Sequence, residues 1–180
     1  MSNHSWKNAL KQAIRPTNNP QPRIAIVGMG HELRGDDAAG IIVARRLEAA
    51  TNVYWLVIDA GSAPENFIGK LREFAPDVLL MVDAIQMDAP PGMIRLLTID
   101  ELESYSLTTH ALSPHLLIAH LQLELRCIIR LLGIQPGQDS FGSELSSLVR
   151  HSVERIVQII ETEVLSSFEQ QCADMDNSIL

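Results

Sequence analysis

One segment near the N-terminus constrains the fold of this chain more than any other. Residues 24–40 read IAIVGMGHELRGDDAAG, which predicts a buried strand, a glycine-rich turn and the start of a helix. Such turns normally attract anions, because the free N–H groups and the dipole at a helix N-terminus favour negative charge. Here Asp36 and Asp37 place negative charge at that position. The turn therefore favours a cation over a phosphate group.

Length and composition restrict the class of protein. The 180 residues and 46% hydrophobic content fit one globular domain with a sizeable core. A formal net charge of −8 disfavours nucleic acid and anionic membranes as partners, because both are bound through basic surfaces. Two cysteines are too few for a disulfide framework, and neither a signal peptide nor a membrane span is evident. We expect a cytoplasmic protein with no nucleic-acid partner.

Apolar runs that alternate with helical segments predict an α/β fold, in which helices cover both faces of a mostly parallel sheet. The expected strands are 23–27, 54–58, 78–82, 93–98 and 127–134, with 93–98 at an edge. The expected helices are 38–50, 63–74, 113–125 and 143–168. We predict a flexible leader over 1–22, in which 6–14 can form a short helix, a single domain over 23–168, and a frayed tail over 169–180.

Acidic residues follow several of these strands, at the edge where open parallel sheets bind ligands. Asp59 follows the second strand and Asp83 the third, and the sequence pattern does not choose between them as ligands. One of Asp36 and Asp37 is expected to cap the helix that follows. The other then points elsewhere, because adjacent residues do not share a helix face. Asp37 is therefore open to either a structural role or a ligand role.

A histidine could join these carboxylates. Of the six histidines, His110 lies in a loop just before a helix start, where it is either structural or a ligand. Two carboxylates and one imidazole suit a divalent ion such as nickel, zinc or cobalt, and three protein ligands leave positions open for water or substrate. The sequence has no G-x-S-x-G elbow and no HExxH pattern, and neither cysteine is placed like a nucleophile.

A dinucleotide-binding fold is the main alternative. Gly28 and Gly30 follow a strand, and Asp59 ends the next strand, where a ribose-binding acid belongs. Against this alternative, Leu33 stands where the fingerprint requires a glycine, and the two aspartates of the turn crowd the pyrophosphate position.

The chain resembles the hydrogenase maturation proteases, and among them the formate-hydrogenlyase type. The resemblance spans about residues 23–165 and rests on five blocks in the family's order, which are VGMGHELRGDDAAG at 27–40, VIDAGSAPEN at 57–66, LMVDA at 80–84, TTH at 108–110 and LGIQP at 132–136. The resemblance implies a three-layer α/β/α fold around a twisted, mostly parallel five-stranded sheet. It also implies a protease that removes a C-terminal peptide from the large subunit of NiFe hydrogenases.

The resemblance further implies which residues form the site. In the family, the metal ligands are an acid after the glycine turn, an aspartate that ends the third strand, and a downstream histidine. By position these are Asp37, Asp83 and His110, as both catalytic and metal-binding residues, so that Asp83 is implied rather than Asp59. His31 departs from the family pattern, which usually has Asn there. It either adds a donor or ligand near the metal or points to solvent.

The implied function is that of an endopeptidase acting on a nickel-loaded hydrogenase large-subunit precursor, which is also the expected partner. The expected cofactor is nickel supplied by the precursor, and other divalent ions are expected to substitute in vitro. Two alternatives are kept. One is a maturation chaperone that senses nickel without cleaving the precursor. The other is the dinucleotide-binding, Rossmann-like protein.

Overall fold

The structure, a computed structural model, describes residues 5–14, 19, 21–102 and 114–165. The strands are β1 Ile24–Met29, β2 Trp55–Gly61, β3 Val78–Ala84, β4 Ile94–Leu97 and β5 Ile128–Ile134. The α-helices are α1 Ser5–Ala13, α2 Ala39–Leu47, α3 Ile68–Phe74, α4 Ile99–Leu102, α5 Pro114–Glu124 and α6 Ser147–Ile159. Short 3-10 turns flank α2 at Gly35–Ala38 and Glu48–Ala50 and precede α3 at Pro64–Phe67, while a π turn, Ile160–Leu165, follows α6.

The strands form one five-stranded sheet in the order β2-β1-β3-β5-β4. The first four strands in this order are parallel, and β4 pairs antiparallel with β5 at the edge. β1 and β3 are continuous apolar runs because both of their faces are buried, as is usual for central strands of a parallel sheet. This architecture confirms the predicted α/β fold with a mostly parallel sheet.

Helices cover both faces of the sheet, and each face has its own apolar core. Alternate residues of every strand point to opposite faces, so that Leu80 and Val82 of β3 pack on one side and Leu79 and Met81 on the other. Residues of α1, α2 and α6 fill the first core, and residues of α3, α4 and α5 fill the second. The three layers predicted from the sequence are therefore present.

The first helix corrects one expectation. Residues 1–22 were expected to form a flexible leader, but residues 5–13 form α1, and Trp6, Leu10 and Ile14 are buried in the first core. These three residues recur every fourth position and therefore line one face of the helix. The short helix predicted at 6–14 is therefore confirmed as α1, whereas the expected flexibility of this stretch is wrong because the helix packs into the core. The end of the domain at 168 and the frayed tail at 169–180 lie outside the described residues and stay predictions.

The C-terminal helix begins and ends differently from the sequence-based expectation. It starts at Ser147 rather than near residue 143, because Ser146 is its N-cap and its hydroxyl accepts a hydrogen bond from the Val149 N–H at 3.4 Å. The expected α-helix is replaced by the π turn from Ile160 onward. Of the helices within the described ranges, none is long and apolar enough to cross a membrane.

We expect Leu10→Ala to lower the free energy of unfolding by about 3 kcal/mol, because it leaves a cavity at a fully buried position between α1 and the sheet. The measurement is urea-induced unfolding followed by circular dichroism. Leu123→Ala is the matched control, since Leu123 is 86% exposed and its truncation should change stability by less than about 0.5 kcal/mol. Equal unfolding midpoints for the two variants would contradict the packing of α1.

Candidate active site

The strand order creates a switch point between β1 and β3. The chain leaves β1 for β2 on one side and then crosses back over β1 to form β3 on the other side. Open α/β sheets bind ligands beyond the carboxyl ends of their strands at such a point, because the connections on either side of it diverge and leave a crevice. The glycine-rich turn follows β1 at this position, and Asp83 is the second-last residue of β3. Both predicted features therefore lie at one crevice.

Three glycines allow the start of α2 to press against the strand ends. A Cβ atom built on Gly40 would lie 2.1 Å from the carbonyl oxygen of Val82, the residue before Asp83. On Gly30, whose φ is +136°, a Cβ would lie 1.7 Å from the carbonyl oxygen of Asp37. On Gly28, it would lie 2.0 Å from the carbonyl oxygen of Gly40. Only glycine permits these approaches, and they bring the turn that carries Asp37 to the end of β3.

Asp36 is fully buried and ties this turn to the far side of the crevice. Its Oδ2 accepts hydrogen bonds from the backbone N–H groups of Gly137 at 2.7 Å and Gln138 at 2.9 Å, and from the Ser146 hydroxyl at 2.9 Å. Its Oδ1 accepts one from the Ser146 N–H at 2.7 Å. Because both oxygens already accept hydrogen bonds from the protein, Asp36 is a structural residue rather than a metal ligand.

The expected helix cap is therefore corrected. Arg34 and Ala38 occupy the cap positions of the Gly35–Ala38 turn and of α2, and neither position has a side-chain cap hydrogen bond. Asp36 lies inside the turn and bonds to distant loops rather than to the helix that it precedes. Its partners come from two segments, Gly137–Gln138 and Ser146, whose involvement local sequence reasoning missed. The one available signal was the LGIQP block, which ends just before Gly137.

Asp37 and Asp83 are the other buried carboxylates at the crevice, with exposed fractions of only 3% and 2%. The Asp83 Oδ1 accepts a hydrogen bond from the adjacent Ala84 N–H at 2.8 Å. Two buried carboxylates at one strand edge provide oxygen donors that fit a divalent cation, because a buried negative charge needs a compensating positive charge or hydrogen bonds. Within the described ranges, no three His, Cys, Asp or Glu side chains form a metal-binding group. The third predicted ligand, His110, lies outside those ranges.

Asp59 is held away from this crevice by an ion pair. Strand alternation directs it to the face covered by α2, opposite to Asp83, and there its Oδ2 accepts a 2.7 Å hydrogen bond from Arg45 Nε. Arg45 also donates to Glu32 at 2.6 Å. The hydrogen bond to Glu32, followed by that to Asp59, raises the pKa of Arg45 above its usual range. In return, Arg45 lowers the pKa of Glu32. An acid paired in this way does not suit the ribose of a dinucleotide.

His31 lies beside the crevice, next to the backbone of Asp37 and the ring of Phe141. Its backbone N–H donates to the carbonyl of Asp37 at 3.2 Å, and its ring meets Phe141 edge-on, with centroids 6.4 Å apart. The ring Nδ1 accepts a 3.3 Å hydrogen bond from the Leu33 N–H, which requires the neutral ring to carry its proton on Nε2. Binding a metal through Nε2 would require the proton to move to Nδ1. The Nδ1–H and the Leu33 N–H would then be two donors facing each other, and the hydrogen bond between them would be lost. The arrangement therefore disfavours His31 as a ligand.

Cys127 is remote from the crevice and unsuited to nucleophilic attack. It precedes β5, at the amino ends of the strands and so opposite to the crevice, where it lines an open cavity of about 710 Å³. Partial burial, together with the nearby Asp77 carboxylate, raises the pKa of the Cys127 thiol to about 11. The thiol is therefore protonated at neutral pH. Only the deprotonated form, the thiolate, acts as a nucleophile.

We expect Asp36→Asn to lower the free energy of unfolding by at least about 2 kcal/mol. The amide cannot accept the bonds now made by both oxygens, and its NH₂ group would face a backbone N–H donor, so that charge-assisted hydrogen bonds are lost in a buried site. Urea-induced unfolding measures the effect. Asp139→Asn is the control, because this acid is exposed and its nearest cation, Arg34, is 3.9 Å away. Equal effects of the two substitutions would contradict the structural role of Asp36.

The chain is similar to known proteases over most of its length. The sequence profile of the HycI hydrogenase maturation proteases matches residues 41–163. The Hydrogenase 3 maturation protease of Escherichia coli (strain K12) is 39% identical over 134 residues, which cover 74% of this chain and 85% of that protein.

Solved structures agree with this similarity. The HycI maturation protease of Thermococcus kodakarensis superposes with a TM-score of 0.77 at 29% identity, over 87% of this chain and 99% of that one. The solution structure of the endopeptidase HycI from Escherichia coli superposes with a TM-score of 0.68 at 36% identity, over 76% and 87% of the two chains. Together with the buried carboxylates at the switch point, these similarities establish that the chain belongs to the hydrogenase maturation protease family.

Proposed function

We propose that this endopeptidase removes the C-terminal peptide of a NiFe hydrogenase large-subunit precursor once nickel has been inserted. The observation that carries the proposal is the pair of buried carboxylates, Asp37 and Asp83, at the switch point of the sheet. Its relatives are named for hydrogenase maturation, which supports a hydrogenase precursor as the substrate. A precursor that brings its own nickel would complete the donor set at this crevice.

We assign Asp37, Asp83 and His110 as the side chains that contact the nickel of the precursor. The two carboxylates are buried and belong to segments that the glycine turn holds together. His110 is assigned from the TTH block of the sequence. The direction of Asp83 supports this assignment, because strand alternation points it to the face covered by α5, and α5 begins only four residues after His110.

The reaction is hydrolysis of one peptide bond. A water oxygen attacks the scissile carbonyl carbon, the C–N bond breaks, and the departing amine takes up a proton. A divalent ion held by Asp37 and Asp83 would polarise the scissile carbonyl or lower the pKa of a water molecule. One of the two carboxylates, Asp37 or Asp83, takes the proton of the attacking water as a general base. Asp36 does not serve this role, because both of its oxygens accept hydrogen bonds from the 137–146 segment.

We expect the protein to shorten the nickel-loaded precursor by one C-terminal peptide and to leave the nickel-free precursor intact. Intact-protein mass spectrometry after incubation measures this outcome. Asp37→Asn and Asp83→Asn should each lower the cleavage rate at least about 100-fold, because each removes a proposed metal donor and general base. Asp59→Asn is the matched control, since Asp59 also lies near the carboxyl end of a strand but is bound to Arg45, and it should leave the rate within about threefold.

The alternatives predict different results from the same materials. A nickel-sensing chaperone would form a stable complex with the loaded precursor without changing its mass. A dinucleotide-binding protein would gain thermal stability from nucleotide and none from nickel. Cleavage that is equally fast for loaded and nickel-free precursors would contradict the gating of the reaction by nickel while leaving the protease assignment intact.

We expect Cys127→Ser to cleave the loaded precursor at the wild-type rate. Its thiol lies at the amino ends of the strands, and a pKa of about 11 keeps it protonated at neutral pH. The same cleavage assay measures the rate, with the wild-type protein as reference. A large loss of activity with unchanged thermal stability would contradict the carboxylate site and favour a thiol nucleophile.

A further inference from the structure

We infer that Leu33 and Phe141 form a docking platform for an apolar segment of the precursor beside the scissile bond. The inference rests on the proposed function, because it concerns how the same site receives its protein substrate. The Leu33–Phe141 platform consists of these two side chains together with the loops 31–35 and 137–146 that carry them.

Both side chains are large, apolar and open to solvent. Leu33 is 54% exposed and Phe141 is 74% exposed, whereas most large apolar side chains in the described part of the chain are buried. The two loops are adjacent, because the Gly142 N–H donates a 2.7 Å hydrogen bond to the Leu33 carbonyl. The His31 ring, which packs edge-on against Phe141, closes one side of the pair. Exposed apolar side chains that cluster in this way mark binding surfaces more often than isolated ones do.

The two loops are fastened to each other before any substrate binds. The Asp36 N–H donates to the Gln138 carbonyl at 2.9 Å, and the buried Asp36 carboxylate holds the same segment from the other direction. The loops also approach closely at Gly35, where a Cβ would lie 2.4 Å from the Ser143 hydroxyl oxygen. A surface that is already ordered does not lose further loop entropy on binding, which favours affinity.

The position of the platform indicates its occupant. Leu33 precedes Asp37 by four residues in the same turn, and the loop of Phe141 is bonded to the neighbouring Asp36. The platform therefore adjoins the turn that carries Asp37, and a polypeptide that brings a peptide bond to Asp37 is expected to contact it. Arg34 and Asp139, an exposed pair 3.9 Å apart that bridges the two loops, add charged groups around the apolar side chains. An apolar centre with a charged rim is the usual composition of a protein–protein contact.

The test is steady-state cleavage of the nickel-loaded precursor by Phe141→Ser and Leu33→Ser. We expect KM to rise at least about fivefold in each variant, with kcat within about twofold, because an exposed anchor contributes to binding and not to chemistry. Thermal stability should be unchanged, since neither side chain is buried. Leu123→Ser is the matched control. Leu123 is 86% exposed near the end of α5, which leads to the amino end of β5, away from the crevice. The KM of Leu123→Ser should equal that of the wild type.

Binding of the loaded precursor is measured separately by calorimetric titration, so that the two proposals fail in different ways. Wild-type cleavage with an unchanged KM in Phe141→Ser would overturn the platform and leave the proposed function intact. Absence of cleavage by the wild type would overturn the proposed function, while weaker binding by Phe141→Ser than by Leu123→Ser would still support the platform. A wild-type dimer that Phe141→Ser dissociates, with KM unchanged, would assign the surface to a second copy of the chain and overturn the inference.

Discussion

The rest of the structure depends on the close contact between the backbone at Gly40 and the ends of β1 and β3. Side chains normally separate a helix from the sheet that it covers, but here Gly28 and Gly40 let the backbone of the first turn of α2 meet the strand ends directly. This contact places an acid-bearing turn over the switch point of the sheet. A methyl group at Gly28 or Gly40 would overlap the opposing backbone, and the carboxylates of the crevice would separate.

The two adjacent aspartates of the turn have different roles because they have different surroundings. Asp36 accepts hydrogen bonds from backbone N–H groups and from the Ser146 hydroxyl. It thereby connects the loop after β1 to the segment before α6. Asp37 is also buried, and the glycine contacts bring the turn that carries it to the end of β3. The structural residue Asp36 and the proposed ligand Asp37 are therefore separated by a single peptide bond. That coupling also connects the carboxylate site to the loops that carry Leu33 and Phe141.

Charge pairing keeps the other acids of this edge out of the crevice. Arg45, from the last turn of α2, bonds to Asp59 and Glu32 together, and the loop after β1 is thereby linked to the end of β2. These groups are exposed, so the pair contributes little to stability. The pairing distinguishes the two strand acids, because Asp59, which lies near the carboxyl end of β2, has its charge compensated by Arg45 within the protein. Asp83 lies on the other face of the sheet and does not share this arginine.

Local sequence patterns were sufficient to predict the fold class and the edge of the sheet at which the candidate site lies. Buried parallel strands must be continuous apolar runs, and acids that end such strands must lie at one edge, so both conclusions follow from local pattern alone. The short helix at 6–14 was predicted from the sequence, but the burial of its Trp6, Leu10 and Ile14 face follows from tertiary packing. The family resemblance implied Asp83 rather than Asp59, but the physical difference between these two residues and the role of Asp36 come from tertiary contacts. The approach of Arg45 to Asp59 and the return of the 137–146 segment to Asp36 are tertiary contacts, and no local sequence pattern contains them.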